Sequence, residues 1–332
     1  MKCIISPYTS CYHNIASEEY YMTEFDDDIF YLYINAPSII IGRHQNAYAE
    51  INQQYVHEKG IDVVRRLSGG GAVYHDHGNL NYGFITRSRG QDISEIFRTF
   101  TAPIVDALQE MGADARFSGR NDLVIDEKKI SGVAQFHRGD KVLLHGTLLY
   151  SADMTNVSKS LNADPRKFQD KSVKSIRSRV TNISPYLNEP LSIDEFASAL
   201  SRKVISRFPE AAIYSLNDHD MREIEKLADC KYSTWEWTYG NSPDFALWQE
   251  LRFENGIIDI GLDVSSGIIE KIRIFGDFFG TGDIDEMTGF LTGLPFKRNA
   301  VKEALSRISL SDYIYNLSEE LFIQCLFSNS AE

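Results

Sequence analysis

The sequence predicts an α+β protein of two units, a large one over residues 1–243 and a small one over 244–332. Three observations lead there. Short runs rich in β-branched and aromatic residues recur at 29–35, 38–42, 61–65, 81–86 and 141–150. Long helical patterns occupy 92–111 and 192–208. Gly240-Asn241-Ser242-Pro243 is then a cluster of turn residues, and a separate hairpin with helical patterns begins beyond it. With 332 residues, 43% of them hydrophobic, the chain is long enough to fill two cores.

In order, residues 11–25 offer an amphipathic, helical pattern after Asn14, carried by Ile15, Glu18, Glu19 and Met22. Ile29–Asn35 and Ser38–Gly42 read as strands around Pro37, and Gly42-Arg43-His44-Gln45-Asn46 closes the second. Asp92 to Met111 is the clearest helix. Its apolar face is Ile96, Phe100, Ile104 and Leu108, Asp92 and Glu95 resemble a capping box, and Gly112 stands at the exit. Asp122–Ile125 and Lys129–Gln135 read as a hairpin about Asp126-Glu127-Lys128, followed by a strand over Lys141–Tyr150. Ser192-Ile193-Asp194-Glu195 is a capping box; Phe196, Leu200, Val204 and Phe208 form the buried face of the helix that Pro209 stops. A shorter helix is expected over Asp220–Asp229, and Trp235-Glu236-Trp237-Thr238-Tyr239 as core aromatics near a domain edge. In the small unit Ile258, Ile260, Leu262 and Val264 alternate, Ser265-Ser266-Gly267 turns, and Ile272 and Ile274 resume the alternation. Helical patterns follow at 283–291, 298–308 and 318–327.

Composition narrows the function. A net charge of −13 argues against a nucleic-acid binder, which carries a basic footprint. Cys3, Cys11, Cys230 and Cys325 show no zinc or disulfide spacing. The start lacks the apolar run of a signal peptide, and no apolar stretch is long enough to span a membrane. The expectation is a soluble, reduced, cytoplasmic protein without membrane attachment.

The chain is organised around Arg65-Arg66-Leu67-Ser68-Gly69-Gly70-Gly71-Ala72-Val73-Tyr74-His75-Asp76. Three glycines let a ligand lie against the main chain, and the arginine pair offers guanidinium to phosphate or carboxylate. Flanking β-forming residues pin the loop between strands. The spacing fits neither GxxxxGK[ST] nor GxGxxG. Ser68 has no GxSxG elbow and is no nucleophile. His75, His77 and His145 invite a metal reading, but the His-x-His pair has no acidic or thiol third ligand at a standard spacing.

The stretch from Arg66 to Asp76, with Gly78-Asn79-Leu80, closely resembles the glycine-rich loop of lipoate–protein ligases. So do Ser118-Gly119-Arg120-Asn121-Asp122, Lys129-Ile130-Ser131-Gly132 and His145-Gly146-Thr147-Leu148-Leu149, in the family's order and at similar spacing. The likeness extends through Ser178-Arg179-Val180-Thr181-Asn182 and more weakly across the rest. It implies a mixed or antiparallel sheet of the biotin/lipoate ligase type, class II synthetase-like, with a small C-terminal accessory domain. It also implies ATP-dependent activation of lipoate as lipoyl-AMP, with Mg²⁺, and transfer to a lysine of a lipoyl-carrier protein. The acceptor would be a lipoyl domain of a 2-oxoacid dehydrogenase or a glycine-cleavage H or H-like protein, and the ligase a monomer.

On this resemblance Lys129 is the essential lysine, its ammonium facing both the carboxylate and the α-phosphate. Arg66 and the N–H groups of Gly71, Ala72, Val73 and Tyr74 cradle the nucleotide, a nest-like arrangement. Ser68, Gly70, Ser131, Gly132, Gly146 and Thr147 belong to the same binding motifs, with Asn121 beside them and Asp122 on Mg²⁺. His75, Asn79 and His145 line the pocket. The basic run Arg166, Lys167, Lys171, Lys174, Arg177 and Arg179 would fold over the adenylate. Val133, Phe136 and His77 depart from the family's usual residues, which implies altered acyl selectivity or acceptor choice. Two other readings are an ATP-independent octanoyl or lipoyl transferase and a non-catalytic carrier binder. The first needs a thiol in the motif region, and none of the four cysteines lies between Arg65 and Tyr150. Retention of Lys129, Asn121, Asp122 and the glycines opposes the second, and the phosphate loop of a biotin ligase is missing.

Overall fold

The computed structural model describes residues 1–119, 121–161, 180–240, 247–265 and 267–327. The strands are β1 (Lys2–Ile5), β2 (Ile29–Ile34), β3 (Ser38–Ile41), β4 (Asp62–Arg65), β5 (Val73–His75), β6 (Asn79–Arg87) and β7 (Arg116–Ser118). They continue as β8 (Asp122–Ile125), β9 (Lys128–Arg138), β10 (Lys141–Leu149), β11 (Ala212–Ile213), β12 (Leu247–Phe253), β13 (Gly256–Ser265) and β14 (Ile268–Asp277). The helices are α1 (Cys11–Glu24), α2 (Ala47–Glu50), α3 (Gln53–Lys59), α4 (Ile93–Glu110), α5 (Met154–Ser160) and α6 (Ile193–Arg207). After them come α7 (Asp218–Leu227), α8 (Trp235–Thr238), α9 (Ile284–Leu291), α10 (Arg298–Leu305), α11 (Leu310–Tyr313) and α12 (Glu319–Leu326).

Two compact units result. The first comprises Met1–Ile40, Ile51–Arg65 and Val73–Thr238; the second Ile41–Glu50, Arg66–Ala72 and Tyr239–Glu332. The glycine stretch therefore packs with the C-terminal unit, although it is distant from that unit in sequence. The border expected at 243/244 falls within 241–246, outside the described residues.

The first unit is built on a mixed eight-stranded sheet in the order β11-β1-β2-β6-β10-β9-β8-β7. Only the β11–β1 and β1–β2 pairs are parallel; from β2 to β7 every pair is antiparallel. Alternation sorts its side chains. Phe30, Leu32, Leu80, Tyr82, Phe84, Leu144 and Leu148 join Ile96, Ile104 and Leu108 of α4 and Phe196, Leu200 and Val204 of α6 in one core. Both helices start where expected, with different caps: Asp92 accepts from Ser94 N–H, a simple cap in place of the expected box with Glu95, whereas Ser192 and Glu195 form the full reciprocal box. The opposite face of the sheet meets α1. A second, three-stranded sheet runs β4-β3-β5.

The second unit carries the antiparallel sheet β12-β13-β14, with a register shift at Asp263/Val264. Ile258, Ile260, Leu262, Ile272 and Ile274 pack there against Met287, Leu291, Val301, Leu305 and Phe322. One sequence expectation fails nearby in the first unit: Trp235 is 56% exposed. Helix α8 has a single turn, too short to bury both tryptophans, and Trp237 takes the inward place.

Candidate active site

A β-bulge places Lys129. Asp122 pairs with Gly132 and Leu123 with Ser131, but Val124 pairs with Lys129, so Ile130 is the extra residue. Without the bulge, Lys129 and Gly132 would project to opposite faces. With it they share a face with Asp122, and the Lys129 ammonium lies 2.8 Å from Asp122 Oδ1. Gly132 clears the way, since a Cβ there would stand 2.8 Å from Lys129 Nζ and 2.9 Å from its Cε. Lys129 is also anchored by its carbonyl, which accepts from Thr181 N–H at 3.0 Å. Lys128, by contrast, is exposed.

Gly132→Ala is expected to leave the fold intact, because the obstructed atoms end a flexible side chain, yet to displace the ammonium. A misplacement of about 1 Å can cost ~10²-fold in rate. The rate of the acid activation that the resemblance implies, measured with the melting temperature, checks this; a fully active variant would mean that the position of the ammonium is unimportant.

The register carries the same face onward. Gly132 and Ala134 share a face of β9, and Ala134 pairs with His145, His145 with Gly83, and Gly83 with Tyr31. Asp122, Lys129, His145, Thr147, Asn79, Asn81, Tyr31 and Tyr33 therefore project from one side of the sheet. At its centre is Glu18 of α1, fully buried, a residue sequence reasoning left unassigned. Its Oε1 accepts from Tyr31 hydroxyl (2.5 Å) and Tyr33 hydroxyl (3.2 Å), and lies 2.7 Å from His145 Nδ1. Gly83 makes room for this, because a Cβ there would sit 1.9 Å from the Tyr31 ring. Burial, then the Glu18 carboxylate, holds the Tyr31 hydroxyl far above its ordinary pKa, so it remains a donor. Among the described residues, Glu18 Oε2 and Asn79 Oδ1 are buried acceptors on this side with no hydrogen-bond partner.

Other expected residues go elsewhere. Ser131 pairs with Leu123 on the opposite face, where its hydroxyl meets Tyr82 OH at 3.3 Å. Gly146 also faces Tyr82, whose hydroxyl would be 2.8 Å from a Cβ there. Asn121 spends its side-chain N–H on Val133 carbonyl (2.8 Å), and its own carbonyl accepts from Val133 N–H (2.9 Å). Val133 itself is packed in the core with α4. His75 is buried against Asn35, while His77 is exposed.

The glycine loop lies in the second unit from Arg66 to Ala72. Arg66 Nε donates to Ser68 Oγ (2.9 Å), and its Nη2 to the carbonyls of Gly69 (2.6 Å) and Gly71 (2.9 Å). Gly70 adopts φ +87° and its N–H donates to Phe278 carbonyl at 3.2 Å. Close approach explains the glycines: a Cβ on Gly69 would lie 2.3 Å from that carbonyl, and one on Gly42 would lie 1.9 Å from Gly70 oxygen. Val73 and Tyr74 already belong to β5, paired with Ile40 and Ile39. Arg65 is not a ligand cation of this loop. It is buried in the first unit, donating to the carbonyls of Trp237 (3.1 Å) and Thr238 (2.6 Å), while Trp237 Nε1–H donates to Arg65 carbonyl.

For Mg²⁺, Asp122 offers a hard carboxylate oxygen. Among the described residues no three His, Cys, Asp or Glu side chains form a metal cluster. That donor set suits a cation held mainly by phosphate oxygens and water. Cys3, Cys11 and Cys325 are buried, and burial pushes the Cys325 thiol to about 11 and Cys11 further still. Such thiols are poor nucleophiles. The basic run from Arg166 to Arg179, and Arg120, lie outside the described residues.

The family model described as "Lipoyl protein ligase A/B catalytic domain" matches residues 10–205, and "Bacterial lipoate protein ligase C-terminus" matches 242–326. The chain is 43% identical over 321 residues to lipoate-protein ligase LplJ of Bacillus subtilis (strain 168), covering 95% of this chain and 96% of that protein. It is similar in fold to P. falciparum LipL1, solved in complex with lipoate (TM-score 0.79, 24% identity, 98% of each chain covered). It also matches lipoate-protein ligase A bound with ATP (TM-score 0.63, 31% identity, 72% of this chain and 98% of the other). The fold is that of a lipoyl-ligase catalytic domain followed by a small C-terminal domain. The chain belongs to the lipoate–protein ligase family.

Proposed function

We propose that this protein is an ATP-dependent lipoate–protein ligase, as its relatives' names and the ATP-bound ligase structure support. In the first half-reaction a lipoate carboxylate oxygen attacks the α-phosphorus of ATP, giving lipoyl-AMP and pyrophosphate. In the second, the deprotonated ε-amine of an acceptor lysine attacks the acyl carbon, forming the amide and expelling AMP. The acceptor is a lipoyl-carrier protein, a lipoyl domain or a glycine-cleavage H-like protein.

The observation that carries this reading is the bulge that sets the Lys129 ammonium beside Asp122, on the face shared with His145. An ammonium held there neutralises the charge that builds between carboxylate and α-phosphate. Asp122 is the residue to hold Mg²⁺, which when bound supplies charge neutralisation at the phosphates. Arg66, with Gly70 and Gly71, is assigned to the nucleotide; binding must exchange the loop's internal hydrogen bonds for phosphate oxygens. His75, Asn79 and His145 are assigned to the acid, and the Glu18 oxygen fixes the His145 ring. Residues 1–243 and 244–332 are proposed as catalytic and accessory domains.

Pyrophosphate release provides the test. It is expected with ATP, Mg²⁺ and lipoate together and not when lipoate is omitted. Release independent of the acid would indicate a nucleotide hydrolase instead.

A further inference from the structure

His75 meets a chain of buried amides whose hydrogen bonds set their orientation. Asn14, Asn35 and His75 are 1%, 0% and 3% exposed. The Asn14 side-chain nitrogen lies 3.1 Å from Tyr8 carbonyl and 3.4 Å from Ile34 carbonyl, groups that can only accept. Ser6 hydroxyl donates to the other end of that amide, at 2.5 Å from Asn14 Oδ1. The orientation of Asn14 is thereby set by its partners. Its NH₂ group also donates to Asn35 Oδ1 at 2.7 Å, which turns the Asn35 NH₂ group towards the imidazole. Asn35 Nδ2 then meets His75 Nδ1 at 3.0 Å. A donor on the asparagine requires a lone pair on Nδ1, and the ring proton of neutral His75 must be on Nε2.

Resting on the proposed assignment of His75 to the acid, we propose that Asn35, oriented by Asn14, is a positioning residue that holds His75 as the neutral Nε2–H tautomer. The ring then presents a single N–H donor to an anionic oxygen, that of a carboxylate or an acyl-adenylate, and no competing acceptor. His145 is held differently: its Nδ1 faces a carboxylate oxygen of Glu18 at 2.7 Å, a partner that selects a proton on Nδ1. Two histidines assigned to one substrate are thus set up with different ring nitrogens protonated.

The experiment is a long-range ¹H–¹⁵N correlation spectrum of the full-length protein at neutral pH, with His75 assigned by comparison with His75→Phe. The expected wild-type signature is a protonated Nε2 and an unprotonated, hydrogen-bonded Nδ1. Asn35→Asp replaces the donor with an acceptor and should move a proton onto Nδ1. A wild-type ring protonated at Nδ1, or an unchanged ring in Asn35→Asp, would overturn the proposal. Because the wild-type spectrum is itself decisive, misfolding of the variant does not remove the test. The kinetic arm is a double-mutant cycle on adenylation. If Asn35 acts through His75, Asn35→Asp should cost about 10-fold or more alone and almost nothing in the His75→Phe background. Additive losses would contradict it. Absence of any pyrophosphate release by the wild type would sink the ligase reading and leave the spectroscopic result standing.

Discussion

Lys129→Ala is expected to lose ~10²–10³ in the rate of lipoyl-AMP formation, the usual cost of removing a preorganised charge from a developing transition state. The fold should survive. Lys129 is 41% exposed at its side chain and contributes its carbonyl, not its ammonium, to the contact with Thr181. Its ion pair with Asp122 is partly solvated, and such pairs contribute little to stability. Lys129→Arg should restore little, since the broad guanidinium cannot occupy the space over Gly132 that a compact ammonium fills. Lys128→Ala is the control, because Lys128 is itself exposed at the hairpin end. Single-turnover adenylate formation, with melting temperature alongside, reads all three variants. A silent Lys129→Ala with a damaging Lys128→Ala would place the motif one residue off.

Glu18→Leu should be the most destabilising change in the first unit among those considered. It removes the fully buried acceptor oxygen that Tyr31 hydroxyl, Tyr33 hydroxyl and His145 Nδ1 share, leaving at least the Tyr31 donor unsatisfied. Each buried donor left without an acceptor costs about 1–3 kcal/mol. A loss of roughly 3 kcal/mol or more lowers the melting temperature by about 10 °C for a unit of this size. Glu18→Gln keeps an acceptor oxygen and should recover much of the difference. Thermal melts of both variants are the measurement; a Glu18→Leu melt equal to wild type would mean the cluster holds nothing together.

Periodicity made the main helices and hairpins legible. The apolar stripe of α4 and the Ser192–Glu195 box each announce an element through local chemistry alone. Glu18 carried a signal of a different kind. In the pattern Ile15, Glu18, Glu19, Met22 it stands on the stripe reserved for apolar side chains, and a charge there points to a buried polar cluster. Its partners could not be read, because Tyr31, Tyr33 and His145 reach it through strand pairing.

The bulge was equally hidden. Strict alternation groups Lys129 with Ser131, whereas the extra residue at Ile130 reverses the order and gives Gly132 to the lysine. The glycine run announced close approach to a backbone, but not that Phe278 carbonyl is what approaches Gly69 and Gly70. Arg65 and Arg66 are adjacent in sequence and suited alike to an anion. The carbonyls of Trp237 and Thr238 take the first, a long-range choice that no local rule expresses.

The central claim is transfer of an ATP-activated acid to a carrier lysine. Intact-mass spectrometry of a lipoyl-domain or H-protein acceptor, incubated with this protein, Mg²⁺ and lipoate, tests it most directly. Lipoylation is predicted only when ATP is added, with AMP formed in step with the modified acceptor, and none on an acceptor whose target lysine is replaced by arginine. Modification from a preformed acyl thioester with no ATP present would contradict the account.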